Sequence, residues 1–258
     1  MRDERSAEAD TNPLVSCIVP VFNGERYVQE ALESIDRQTY RPLEIIVVND
    51  GSTDDTQTVV ENLNMSLQYV KQANLGPAAA RNKGVSVAKG DFLTFLDADD
   101  LWHQEKLIKQ MARFQAKPEL DVCLTHLDHF MDSQSGWKSL SAQGARRLTN
   151  IPGYCTQTLL TKRSTFEKVG PFDDRLKHGD ANDWFMRVGD YGLCVELLSE
   201  ILVYRRLHTT NFSSQEHLVS LEEHLKIIKN SLDRRRQIGG GVPHPYQFPT
   251  SKVEKTQN

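Results

Sequence analysis

The chain has 258 residues, 38% hydrophobic and 26% charged, an ordinary globular composition with enough apolar material for one large α/β domain. Its formal net charge of -4 argues against a nucleic-acid partner or a polybasic membrane face. No apolar run approaches the roughly 20 residues of a membrane-spanning helix, so the expected location is cytoplasmic, with at most peripheral contact at a membrane.

In chain order, residues 1–13 are polar and charged, with no apolar stretch of signal-peptide length, and read as a disordered leader. VSCIVPV (15–21) predicts a buried strand that ends in Phe22-Asn23-Gly24. Residues 25–38 follow as a helix with Val28, Leu32 and Ile35 on one face. LEIIVVND (43–50) predicts a second buried strand, LQYVKQ (67–72) a weaker third and DFLTFLDADD (91–100) a fourth, with helices near 54–63, 76–88 and 103–115. This βαβ rhythm predicts a mostly parallel sheet covered by helices on both faces. Ligands then belong at the carboxyl ends of the strands, where the strand order switches. Cys17, Cys123, Cys155 and Cys194 lie far apart without a CxxC pair, which reads as four reduced core thiols rather than a zinc site.

Polar residues follow three of these strands directly. Asp97 and Asp99 stand two apart; on an extended strand end they would point to one side and share a ligand. Mg²⁺ takes one or two such carboxylates and fills its shell with phosphate oxygens, whereas the plainer role of these aspartates is to cap the next helix. Asp50, in Asn49-Asp50-Gly51-Ser52, suits a turn equally well as an acceptor for a base or ribose. Arg81 sits in a stretch of small residues, Gly76-Pro77-Ala78-Ala79-Ala80, that permits close approach of a ligand; it reads either as a phosphate contact or as a solvated helix charge.

The segments VSCIVPVFNGERYVQEALESIDRQTY, LEIIVVNDGSTDDT, NLGPAAARNKGVSVAKGDFLTFLDADD and DWFMRVGDYG together resemble the family 2 glycosyltransferases of the GT-A fold, over roughly residues 14–215. The resemblance implies a Rossmann-like, mostly parallel sheet with a C-terminal helix. It divides the chain into a nucleotide-binding half (14–115), an acceptor and catalytic half (116–213), a helix (214–235) and a flexible tail (236–258) rich in glycine and proline. It also implies an inverting transfer of a sugar from a nucleotide diphosphate donor, UDP-linked by preference, to a hydroxyl of a glycan, lipid-linked saccharide, peptide or small metabolite. Pro20, Val21, Phe22, Asn23, Asp50, Arg81 and Ala98 would line the donor pocket, and Asp97 and Asp99 would match the Asp-x-Asp motif that holds Mg²⁺ or Mn²⁺. In the stretch 203–213, Arg206 would lend charge near the diphosphate and His208 would join the metal or a phosphate.

The general base is where the pattern departs. Family members carry Glu-Asp before an amphipathic helix with an arginine, and this chain has Asp180-Ala181-Asn182-Asp183-Trp184-Phe185-Met186-Arg187. Asp180 takes the Glu position, while Asp183 either orients it or takes the role itself; as plain structure, both suit a helix N-terminus. Ala181 in place of Asp motivates a second reading, a sugar-nucleotide-binding module with impaired catalysis. A nucleotidyltransferase is a third, but Pro-Val-Phe-Asn-Gly is not a lysine-bearing phosphate loop. Trp184 and Phe185 read as core. The polar stretch 131–150, with Arg146 and Arg147, has the length of a lid or binding loop. In 214–235, Leu218, Leu221, Leu225, Ile228 and Leu232 form a narrow apolar stripe, expected to pack on its own domain, with a homodimer contact or docking on a membrane enzyme as the alternatives.

Overall fold

The computed structural model describes residues 12–131, 138–139, 150–207 and 217–237. Residues 1–11 of the leader, 238–258 of the tail, Arg146, Arg147 and His208 lie outside the described residues, and residues 236–237, expected in the tail, are helical. The first half alternates as expected: strand β1 (Val15–Val21), helix α1 (Val28–Asp36), β2 (Leu43–Asn49), α2 (Thr56–Glu61), β3 (Gln68–Lys71), α3 (Pro77–Val87) and β4 (Phe92–Phe95). Then come β5 (Leu101–Trp102), α4 (Lys106–Ala116) and β6 (Val122–Met131), with β7 (Lys138–Ser139) and β8 (Ile151–Pro152) paired to β6. A 3-10 turn (Thr156–Thr158) leads into β9 (Leu160–Lys162), α5 (Arg163–Val169), α6 (Asp180–Asp190), β10 (Val195–Leu207) and α7 (His217–Gln237).

One sheet runs in the order β3-β2-β1-β4-β9-β6-β10-β5. β3, β2, β1 and β4 are parallel, β9 is antiparallel to both its neighbours, and β6 and β10 are parallel to each other. The chain leaves β1 for β2 on one side and returns to β4 on the other, so the switch in strand order falls at the carboxyl ends of β1 and β4. Because successive side chains alternate across a strand, β1 feeds two cores. Cys17 and Val19 pack with Val28, Leu32, Leu107 and Met111 of α1 and α4 on one face. Ile18 packs with Ala80, Phe166 and Trp184 of α3, α5 and α6 on the other. Burying these large apolar side chains contributes about 1.5–3 kcal/mol each, which is what holds α6 against the sheet. Trp184 and Phe185 are buried there, as expected.

Three expectations change. The fourth strand stops at Phe95, and residues 97–100 form a turn closed by the Asp100 amide donating to the Asp97 carbonyl (3.1 Å), so Asp97 and Asp99 are not on an extended strand end. Cys194 is exposed rather than in the core; Cys17 and Cys123 are buried and Cys155 half-buried, all free thiols. The long strands of the second half, β6 and β10, are not among the predicted strands, although Arg206 of the stretch 203–213 falls in β10. Finally, the described part of the α7 stripe does not face its own domain: Leu225, Ile228 and Leu232 are 61%, 49% and 49% exposed, while the side chains of Leu218 and Leu221 lie outside the described residues. Polar contacts dock the helix instead. Glu223 accepts from the amides of Lys177 and His178, and buried Asp190 of α6 accepts from Ser231, Arg234 and Arg235. Among the described residues no helix is long and apolar enough to cross a membrane.

Candidate active site

Two loops at the carboxyl edge are latched together. The Asn23 amide donates to Ser52 Oγ (2.9 Å), the Thr53 amide to Asn23 Oδ1 (2.8 Å) and the Gly24 amide to Thr56 Oγ1 (2.8 Å). Asn23 takes a left-handed conformation (φ 50°) that asparagine tolerates. Pro20 and Val21 are buried in the strand end, while the Phe22 ring beyond them is half exposed and offers a flat apolar face. Asp50 is buried and ordered by its own chain: it accepts from Gln72 Nε2 (2.7 Å) and from the amides of Leu75 (2.9 Å) and Gly76 (2.8 Å). Its carboxylate therefore sets the loop that opens α3. Gly51 (φ 77°) beside it admits no side chain, since a Cβ would lie 2.8 Å from the Asn74 nitrogen.

Arg81, on the buried face of α3, is the hub. Its Nη2 donates to Asp97 Oδ1 and its Nη1 to Asp180 Oδ2, both at 2.8 Å. Burial alone would pull the guanidinium's pKa down; Asp97 and Asp180 more than reverse that, and the charge is held firmly. One arginine thus joins the turn after β4 to the first residue of α6, 99 positions away. The neighbouring Asn82 pins the same helix to the turn before α6, donating to the Phe172 carbonyl (2.8 Å) and accepting from its amide (3.0 Å).

The turn 97–100 gathers negative charge. Asp97, Ala98 and Asp99 are half-buried and Asp100 is buried. Burial first, then Asp99 and Asp97, push the Asp100 carboxyl well above the ordinary range. Arg206 braces this turn from β10: its amide donates to Asp100 Oδ1 (2.9 Å), its Nε to the Asp99 carbonyl (2.9 Å) and its Nη2 to Glu30 Oε2 (2.6 Å). The guanidinium lies between the Tyr27 and Phe130 rings, 4.5 and 4.6 Å from their centroids. Arg206 is therefore buried in the wall behind the aspartates.

Asp183 is not brought to this cluster. One turn along α6 from Asp180, it accepts from Arg187 Nε (2.8 Å) and lies 3.8 Å from Arg234 Nη1 of α7. These residues border a separate surface depression of about 440 Å³ with Asn82, Asp173 and Asn230.

The family model described as glycosyl transferase family 2 matches residues 16–170, which contain β1 through β4, Arg81 and the Asp97–Asp100 turn. The chain belongs to this family. An uncharacterized glycosyltransferase of Rickettsia typhi is 34% identical over 218 residues, 78% of this chain and 67% of the relative. Another from Nostoc sp. is 30% identical over 212 residues, 76% of this chain and 66% of the relative. The chain thus spans about two thirds of the length of these relatives. Among solved structures, Staphylococcus aureus TarS in complex with UDP-GlcNAc has a TM-score of 0.67 at 22% identity, covering 85% of this chain and 66% of that one. The mannosyltransferase PcManGT of Pyrobaculum calidifontis, in complex with GDP-Man and Mn²⁺, has a TM-score of 0.69 at 18% identity, covering 92% and 68%. At these identities the structures establish the GT-A fold.

Two residues of this family 2 chain play parts that the sequence reading did not assign. Gln157, in the 3-10 turn, makes a very short hydrogen bond from Nε2 to Asp97 Oδ2, and its own carbonyl accepts from Trp102 Nε1 (2.9 Å). Asp97 is consequently gripped on both oxygens, by Arg81 and Gln157. The available signal was the polar run Thr156-Gln157-Thr158 inside an apolar neighbourhood, which is entirely buried. Lys106 is the other. It is fully buried with its Nζ on Thr94 Oγ1 (3.2 Å), Gln110 Oε1 (2.9 Å) and the Trp102 ring (4.2 Å to the centroid), and burial pulls its pKa down to about 7.

Proposed function

We propose that this chain transfers a sugar, with inversion, from a nucleoside diphosphate sugar to an acceptor hydroxyl, using a divalent cation at Asp99 and Asp97 and Asp180 as general base. UDP-sugars are the first donors to try, because the TarS structure holds UDP-GlcNAc. The observation that carries the reading is the Arg81 bridge, which brings the Asp97–Asp100 turn and the start of α6 to one place at the carboxyl edge.

The residues fit a cation whose shell is completed by the donor. Among the described residues no group of three or more His, Cys, Asp or Glu forms a protein cage. Asp97, Asp99 and Asp100 nevertheless gather three carboxyl groups on one turn. Mg²⁺ typically keeps only one or two protein carboxylates and takes phosphate oxygens for the rest. When bound, such an ion supplies Lewis-acid stabilisation of the charge that develops on the leaving diphosphate. Arg81 and Gln157 hold Asp97 in a fixed orientation for that task, and Arg206 holds the Asp99 backbone.

Asp180 Oδ2 is anchored by Arg81, and among the described residues no hydrogen bond reaches Oδ1, which is left to accept the acceptor's proton. Asp183 has both oxygens turned toward Arg187 and Arg234 and serves to seat α6. Phe22, Asn23 and the Asp50 loop form the adjoining wall for the nucleotide.

The test is a thermal-shift and diphosphate-release screen of nucleotide sugars with Mn²⁺, Mg²⁺ or chelator. One donor should raise the melting temperature only with metal present, and its diphosphate should be released slowly. Metal-dependent binding with no turnover on any acceptor would favour the impaired module that Ala181 suggests, and no metal-dependent response would sink the role given to Asp97 and Asp99.

A further inference from the structure

Helix α7 presents an apolar row that its own fold leaves uncovered. Glu223, Ile227, Ser231 and Arg234 face the domain: Ile227 lies against Gly179, and the others bond to residues of α6 or the turn before it. Leu225, Ile228 and Leu232 occupy the far side and are exposed. The same spacing continues back through Leu221 to Leu218, so the gaps alternate three, four, three and four. That is the seam of a heptad repeat, narrower than the stripe a helix buries on a globular domain. The helix has 21 residues, long enough for nearly three heptads at about 1.5 Å per residue.

The flanks of the row say what covers it. Glu222 and Lys229, both exposed, stand one heptad apart on the same edge of the seam. In an antiparallel pair of such helices, like edges meet. The register that stacks Leu225 on Ile228 of the partner subunit brings Glu222 of each copy beside the other's lysine. A parallel pair would instead set His224 against that lysine, and His224 is already turned inward to Asn182 (3.0 Å). Both signs of charge border the row, whereas a helix lying on an anionic membrane is bordered by lysine and arginine. We propose that α7 pairs antiparallel with α7 of a second copy, forming a homodimer closed by two symmetric Glu222–Lys229 contacts.

The test uses the full chain and light scattering after size exclusion. The wild type should be a dimer at micromolar concentration, and Leu225→Glu should be a monomer with unchanged circular dichroism and a melting temperature that no longer rises with protein concentration. Glu222→Lys and Lys229→Glu should each weaken self-association about tenfold by placing like charges together, and an equimolar mixture of the two should recover wild-type strength as a heterodimer. A wild type that is monomeric to about 100 µM overturns the proposal, as does a dimer that survives Leu225→Glu or a mixture that gains nothing. A monomer that sediments with anionic lipid vesicles would assign the row to a membrane surface and overturn it equally.

Discussion

The two ends of α6 carry two buried ionic centres built on opposite stoichiometries. At its start, one arginine serves two carboxylates, Asp97 and Asp180, with Asp99 and Asp100 on the same turn. At its end, one fully buried carboxylate, Asp190, receives two arginines and a serine from α7. The first centre sets one arginine against two carboxylates and the second sets two arginines against one; among the described residues both leave buried side-chain atoms without a hydrogen-bond partner, Arg81 Nε and Gln157 Oε1 at the first and Arg234 Nη2 at the second, so the difference lies in the charge balance. The second has its acid satisfied several times over and works as a fastener. A buried charge alone does not mark a site; the side on which the imbalance falls does.

The comparison can be broken at its structural end first. Asp190→Ala leaves Arg235 without its carboxylate and Arg234 with only Asp183, and should cost about 2–3 kcal/mol in urea unfolding, below the full range for a buried pair because both arginines are partly exposed. Loss of less than about 1 kcal/mol would show that α7 is held by something else.

Lys106 sharpens the comparison by showing a buried cation with no carboxylate. Its pKa is lowered to about 7, so between that value and its unfolded value near 10.5 the unfolded chain binds more protons. Folding is therefore fully penalised below pH 7, and the penalty lifts as pH rises. Cys17 and Cys123, pushed up by burial to about 12, and Cys155, to about 11, act with the opposite sign as unfolded thiols ionise at higher pH. Comparison with Lys106→Met cancels those thiols. The stability difference between wild type and variant should change by about 0.7 kcal/mol per unit at pH 7, steepening to about 1.4 above pH 8; parallel curves would show that the lysine does not titrate there.

The smallest effect is expected at Gln157. Gln157→Leu frees one oxygen of Asp97 and should weaken metal-dependent donor binding about tenfold, as loss of a residue that orients a ligand commonly does. Melting temperature without donor should move little, and unchanged donor affinity would remove Gln157 from the site.

Much of the first half was legible because its signals are local. Apolar runs such as VSCIVPV form β1 with the expected faces, and Val28, Leu32 and Ile35 are buried on α1. Arg81, Asp97 and Asp180 were each nominated by motif, but nothing local says that one guanidinium spans 99 positions to join them. Arg206 and Asp50 show the same limit, since their polar atoms are directed at backbone groups placed by the tertiary fold. The strand through Asp97–Asp100 was overextended because Phe-Leu-Thr-Phe-Leu carries the apolar pattern one residue past the strand's last residue, Phe95, up to the turn. The stripe on α7 was read by periodicity, which reports that a face is apolar and is silent on what covers it.

The central claim is that Asp180, and not Asp183, faces the reacting acceptor. Single-turnover transfer with the cognate donor and acceptor should be compared for Asp180→Asn and Asp183→Asn, with donor affinity measured for each. Asp180→Asn should keep donor affinity within about threefold and lose about 10²–10⁴ in transfer rate, while Asp183→Asn should retain most of its rate and lose stability. A variant lacking Asp180 that transfers at the wild-type rate, or a loss of rate confined to Asp183→Asn, would contradict the account.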